Sequence, residues 1–130
     1  MRDVEKKVKY REVLESFLED VFSNTIAYAF LNVLRFHIKK VLGKDLIDSI
    51  LENPVETYRA LYKVLGAVGA VRLLETAMAR YIETRYMIPV DNKLLTNLKN
   101  GDNKALLDVA LRIYSLKYSQ RQMSLTATSL

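Results

Sequence analysis

The sequence contains no cysteine and no tryptophan, only two prolines and four glycines among 130 residues, and one histidine, His37. The missing thiols exclude disulfides, zinc–cysteine sites and thiol catalysis, and they suit a cytoplasmic protein. So few turn-formers argue against a small all-β domain, whose many tight turns call for glycine and proline. The helical neighbours of His37 are Val33, Leu34, Lys40 and Val41. None of them is a metal ligand, so neither a local metal site nor a histidine–carboxylate pair for general-base work is available. No metal and no cofactor is expected. Long apolar runs are missing too. The longest uncharged run, Val21–Leu34, has fourteen residues and is interrupted by Ser23, Asn24, Thr25 and Asn32. A membrane span needs about 18–20 apolar residues, so no membrane partner is expected, and no secretory leader is visible at the N-terminus.

What is present points to helices. Half of the residues are hydrophobic, enough for a real core, and Leu, Ala, Glu, Lys and Arg dominate, all good helix formers. The expected fold is all-α: a compact bundle of five to seven helices in a single domain, 1–122, followed by a Ser/Thr-rich tail, 123–130. Its expected centre is Val21–Leu42, VFSNTIAYAFLNVLRFHIKKVL, whose only polar strip is Asn24, Asn32, Arg35 and Lys39. A helix apolar almost all round is covered on most sides. The second major helix is Ala70–Tyr86, with Val71, Leu74, Met78, Tyr81 and Ile82 facing in and Arg72, Glu75, Arg80 and Glu83 facing out.

The chain before and between these is punctuated clearly. Tyr10, Val13, Leu14, Phe17, Leu18 and Val21 form one face of an N-terminal helix, with Glu19 and Asp20 as solvated charge. Gly43 stops the central helix, and Asp45 caps a short helix, Leu46–Glu52. Asn53-Pro54-Val55-Glu56 reads as N-cap, N1 and the N3 of a capping box. Gly66 and Gly69 flank a break or a close helix approach; they lack the strand and the basic residues of a phosphate loop. Pro89 ends Ala70–Tyr86, Asp91 opens a short helix, Asn92–Lys99, and Asp102 caps the last long helix, in which Leu106, Val109, Ile113 and Leu116 face in.

Three functional readings follow. A domain this small has few helices with which to enclose the central one, so part of that helix is expected to meet a second copy, through Phe30, Leu34, His37 and Val41. The protein is then a non-enzymatic, homodimerising interaction module; no nucleophile elbow, calcium loop or Glu-x-x-His pair is present to suggest chemistry. The alternative rests on a net charge of +5 and on the absence of acidic residues after Asp108. Arg112, Tyr114, Lys117, Tyr118 and Arg121 interleave cations with rings, a combination that suits nucleic acid. A third reading is a small-molecule pocket near His37, which requires a cavity with convergent polar groups there.

The stretch ENPVETYRALYKVLGAVGAVRLLETAMARYI resembles small all-helical archaeal domains of unknown function, some of them output-type domains attached to signalling proteins. The resemblance is carried by Asn53-Pro54, Tyr58 and Leu61, Leu65-Gly66, Gly69-Ala70 and Leu73-Leu74-Glu75, with the preceding apolar helix and Gly43 in the same order, over about residues 21–86. Leu65 stands where a Phe is usual, and the two glycines are more widely spaced. The resemblance implies a helical domain, an archaeal source and possible signalling output; it brings no catalytic residues.

Overall fold

The structure is a computed structural model that describes the backbone of residues 2–128 and the side chains of residues 9–67 and 69–119. Among the described residues it has six α-helices, one 3-10 helix and no strand: α1 (Arg2–Thr25), α2 (Tyr28–Leu42), α3 (Leu46–Glu52), α4 (Pro54–Leu65), α5 (Val68–Tyr86), the 3-10 helix (Thr96–Asn100) and α6 (Lys104–Thr128). The expected tail, 123–130, falls where side chains lie outside the described residues.

The expected central stretch is not one helix. Its first five residues finish α1, the chain turns at Ile26-Ala27, and α2 starts at Tyr28. The turn has neither glycine nor proline, and its cause is local hydrogen bonding. Thr25 donates its hydroxyl back to the carbonyl of Val21 at 2.7 Å, and Asn24 donates its amide to the carbonyl of Asp20 at 2.8 Å. Such side chains compete with the helix ladder and favour its ends. Ala27 is fully extended, with φ −176° and ψ 144°, and the rings of Phe22 and Phe30 stack across the corner with centroids 6.1 Å apart.

The second half of α1 is deeply enclosed. Val13, Leu14, Phe17, Leu18, Val21 and Phe22 are all buried, and α1 packs against α2, α3, α5 and α6. From the other side, Leu31, Leu34 and Ile38 of α2, Ile47 and Ile50 of α3, Leu61 of α4, Met78 and Ile82 of α5 and Leu106 of α6 join the same core.

Most of the punctuation works as read. Gly43 and Gly66 take φ of 74° and 85° and donate their N–H groups back to Lys39 and Tyr62, closing α2 and α4. These are the left-handed caps that glycine adopts without a Cβ penalty. Gly69 needs no such freedom and no close approach: it lies in the first turn of α5, and a Cβ there would meet nothing within 4 Å. Asp45 accepts the N–H of Ile47, and Asp102 that of Lys104. Pro54 opens α4, but Asn53 makes no side-chain cap and Glu56 pairs with Arg59 at 3.1 Å in place of closing a capping box. Thr57, fully buried, satisfies the turn by donating to the carbonyl of Asn53 at 2.8 Å and by its contact with the buried Ser49 hydroxyl.

Two acidic residues expected in solvent are held by partners far along the chain, Glu75 buried and Asp20 half-buried. Glu75 on α5 is 2% exposed. It accepts from Leu95 N at 3.1 Å, Thr96 N at 2.8 Å and Thr96 Oγ1 at 2.7 Å, and so caps the 3-10 helix from a neighbouring helix. Asp20 accepts the hydroxyls of Tyr81 at 2.8 Å and Tyr86 at 2.6 Å and pairs with Lys117 at 3.5 Å, joining α1, α5 and α6. Burial, then the hydrogen bond to Asp20, push the phenol of Tyr86 well above the ordinary tyrosine range; Tyr81 shifts upward for the same two reasons. Leu116, expected inward, is 41% exposed. The short helix expected at Asn92–Lys99 is a turn followed by the 3-10 helix.

Candidate functional site

Helix α2 has two unlike sides. The inner side carries Leu31, Leu34 and Ile38, all buried. Along one edge Arg35 is clamped. Its Nε and Nη2 donate to the two carboxylate oxygens of Asp45 at 3.0 and 3.1 Å, and Nη2 also reaches Glu15 at 2.9 Å. Arg11 extends the chain of charges to Asp48 at 3.0 Å. The forked pairing fixes the rotation of α2 against α1 and the start of α3. Burial disfavours the ionised form of Asp45, but the hydrogen bonds from Arg35 and Ile47 and the charges of Arg35 and Arg11 outweigh it and hold the carboxyl below its ordinary value.

With the inner side so fixed, 100° per residue sends Ala29, Val33, Phe36 and Lys40 straight outward, and all four are exposed. Phe36 is 58% exposed and Val33 51%. Val41 at 44% and Tyr28 at 48% exposure lie on opposite flanks of the helix, about 110° from this line, and Ile26 at 50% stands at the corner before α2. The Lys40 ammonium sits 5.2 Å from the centroid of the Phe36 ring, and His37 meets the same ring edge-on. Single exposed apolar side chains are ordinary on a protein surface; Val33 and Phe36, one turn apart on one face, form a small patch. No acidic residue lies on α2.

The residues expected at a dimer contact divide. His37 and Val41 are exposed, on the flank about 70° and 110° from the outward line. Leu34 is 2% exposed inside the chain's own core and Phe30 is half-buried against Phe22, so Leu34 is unavailable to a second chain. Leu34 faces inward because α2 begins a new helix after the corner at Ala27, and the same rotation leaves Val33 and Phe36 open. The signal that could have found them is the 4,3,4 spacing of Ala29, Val33, Phe36 and Lys40 read from Tyr28 onward.

The expected nucleic-acid set is not brought together. Arg112 is exposed and lines a groove with Tyr86, Met87 and Leu116, at the end of α5. Tyr114, Lys117 and Tyr118 line a different groove with Ser16 of α1; Tyr114 lies about 200° around α6 from Arg112. Lys117 is held by Asp20, and the side chain of Arg121 lies outside the described residues. His37 projects into solvent, so no enclosed pocket forms around it. A cleft of about 340 Å³ lies between α1, α3 and α6, lined by Tyr10, Leu51 and Leu107, with the paired Arg11 and Asp48 at its rim. Among the described residues, no three of His, Asp and Glu gather in a way that could hold a metal ion, and no helix is long and apolar enough to cross a membrane.

The chain is similar to an uncharacterised protein of Archaeoglobus fulgidus, with 35% identity over 108 residues that cover 81% of this chain and 86% of the relative. No family model matches the sequence, and no solved structure matches it.

Proposed function

The chain belongs to one family with the uncharacterised protein of Archaeoglobus fulgidus, and from that premise we propose that it acts by association, as a non-enzymatic helical module that pairs with a second copy of itself through the outward face of α2. The observation that carries this reading is the exposure of Val33 and Phe36, 51% and 58%, on a helix whose opposite side builds the core. Covering a large apolar side chain contributes about 1.5–3 kcal/mol when it goes from open to enclosed. These side chains start about half open, so Val33 and Phe36 on each of two chains contribute roughly 3–6 kcal/mol. Association itself costs about 4–15 kcal/mol. Apolar burial at most about offsets that cost, so an affinity in the micromolar range needs polar contacts across the face as well. The absence of cysteine suits work in a reducing, cytoplasmic compartment.

Size-exclusion chromatography with light scattering, run from low to high micromolar protein, tests the reading. The expected mass rises with concentration from 15.0 kDa toward twice that value. A strict monomer at high micromolar concentration would overturn it.

A further inference from the structure

A groove between α4 and the 3-10 helix combines rings with cations. At 100° per residue, Val55 and Tyr62 of α4 share nearly one azimuth two turns apart, with Tyr58 about 50° to one side and Arg59 about 50° to the other. Lys99 of the 3-10 helix, which packs on α4, faces them. The groove so lined holds about 390 Å³, at the lower end of the range of small-ligand sites. Its floor is apolar and aromatic, and each of its two walls carries a cation.

The groups that line it are not engaged elsewhere. Tyr58 is 8% exposed, yet its hydroxyl makes no hydrogen bond among the described residues. A tyrosine buried this far ordinarily has a partner for that group. No enclosed polar side-chain atom among the described residues lacks a partner, so the hydroxyl is not enclosed and opens into the groove that the residue lines. The ring of Tyr62 is 44% exposed and pairs with no other ring among the described residues. Lys99 is exposed and makes no ion pair among them. Arg59 has Glu56 at 3.1 Å, but both side chains are more than half open to solvent, where such a pair contributes little. Of the other carboxylates nearest along the chain, Glu52 pairs with Lys44 at 2.7 Å and Asp102 accepts the N–H of Lys104. Lys63, exposed on the Arg59 flank of α4, adds a further positive charge.

We infer that this groove binds a nucleotide, with the base stacked on Tyr62, the phosphate between Arg59 and Lys99, and the Tyr58 hydroxyl hydrogen-bonded to the sugar or the base edge. Each part of the lining calls for one part of that ligand. A bare anion leaves the aromatic floor uncovered, and an uncharged ring leaves two cations without a counterion. A flat ring that carries a phosphate engages all of them, since bases stack on aromatic side chains while cations hold the backbone phosphates. A phosphate monoester suits the site better than a carboxylate because it carries close to two negative charges near neutral pH, one for each cation. The inference is independent of association through α2.

Isothermal titration calorimetry of the full chain in low salt tests it, with the four ribonucleoside monophosphates as probes and the matching nucleosides and inorganic phosphate as half-ligands. At least one monophosphate is expected to bind with a dissociation constant of about 1 mM or tighter, at least about ten-fold more tightly than either half-ligand. Tyr62→Ala and Lys99→Gln change exposed side chains and, with native helicity checked by circular dichroism, should each weaken binding about five-fold or more. Tyr58→Phe keeps the ring and should weaken it about two- to ten-fold. Arg112→Gln removes an exposed cation outside the groove and should leave binding within about two-fold. A loss in Arg112→Gln equal to that in Lys99→Gln means diffuse attraction to a basic surface and overturns the site, as does undiminished binding by Tyr62→Ala and Lys99→Gln. A half-ligand that binds as tightly as the nucleotide, or no binding of any monophosphate at about 10 mM, overturns the ligand. A short single-stranded oligonucleotide run alongside separates the two sources of such a unit: binding no tighter than the monophosphate identifies the free nucleotide, and tighter binding that Tyr62→Ala abolishes identifies a residue within a strand.

Discussion

Replacing Glu75 by alanine should be among the most damaging single changes in this chain. The carboxylate is 2% exposed and accepts three hydrogen bonds, from Leu95 N at 3.1 Å, Thr96 N at 2.8 Å and Thr96 Oγ1 at 2.7 Å. Two of these donors are the backbone N–H groups at the entry to the 3-10 helix, which have no partner within that helix. Glu75→Ala strands them. A buried donor left without a partner costs about 1–3 kcal/mol. Leu95 is buried and bears that cost in full, whereas Thr96 is half-buried and recovers part of its loss from water. The lost methylenes add about 0.8 kcal/mol each, and relief from burying a charge subtracts some of the total. The expected destabilisation is about 3–4 kcal/mol. Glu75→Gln keeps the shape: one oxygen can still accept both N–H groups while the amide turns toward the Thr96 hydroxyl. It forfeits only the charge assistance, about 1 kcal/mol. Urea unfolding followed by circular dichroism at 222 nm reads both values from the midpoint at constant slope, with protein concentration fixed because association would contribute to stability. An alanine variant within about 0.5 kcal/mol of the parent, the range of ordinary surface changes, would refute the reasoning.

Three further outcomes follow from the geometry. Asp45 titrates below its ordinary value through Arg35, Ile47 and Arg11 despite its burial, so its contribution is complete above the unfolded carboxyl pKa of about 3.9 and is lost as pH falls through the lower folded value. Asp45→Asn should cost about 2 kcal/mol at pH 7 and should flatten the fall of the melting temperature below about pH 4. Tyr86 shifts the other way, so its contribution is complete below the unfolded phenol pKa of about 10 and is lost as pH rises above it. Tyr86→Phe should cost about 2 kcal/mol at pH 7, and spectrophotometric titration at 295 nm should show one fewer late-ionising phenol. Met87 holds φ of 57° at the end of α5 with 83% of its surface open; Met87→Gly removes the left-handed penalty and should raise stability by about 0.5–1 kcal/mol in thermal unfolding, a gain that fails to appear if the carboxy-terminal cap of α5 is unstrained.

The helices were legible where the signal is local. Gly43, Gly66, Asp45 and Pro54 announce ends through their own backbone preferences, and each does so in the structure. The α1 face from Val13 to Val21 and the α5 face from Val71 to Ile82 follow from helical spacing alone. What could not be read depends on partners far along the chain. Glu75 looks solvent-facing on its own helix, and only the return of Leu95 and Thr96, twenty and twenty-one residues later, encloses it. Asp20 is held by tyrosines sixty-one and sixty-six residues away. The corner at Ala27 lay between: Thr25 and Asn24 carried the signal, but their side-chain bonds run within a stretch whose apolar character suggests continuity. That one corner sets the rotation of α2. It therefore decides that Val33 and Phe36, and not Leu34, are the residues left open at the candidate site.

Association through the outward face of α2 is tested most directly by sedimentation velocity on three proteins at matched high-micromolar concentration: the parent chain, Phe36→Glu, and Leu73→Glu. Leu73 is 74% exposed on α5 and serves as an apolar surface position away from that face. The parent and Leu73→Glu should sediment alike, with masses approaching twice 15.0 kDa, while Phe36→Glu should remain monomeric with native helicity. Phe36→Glu associating as tightly as the parent would contradict the account.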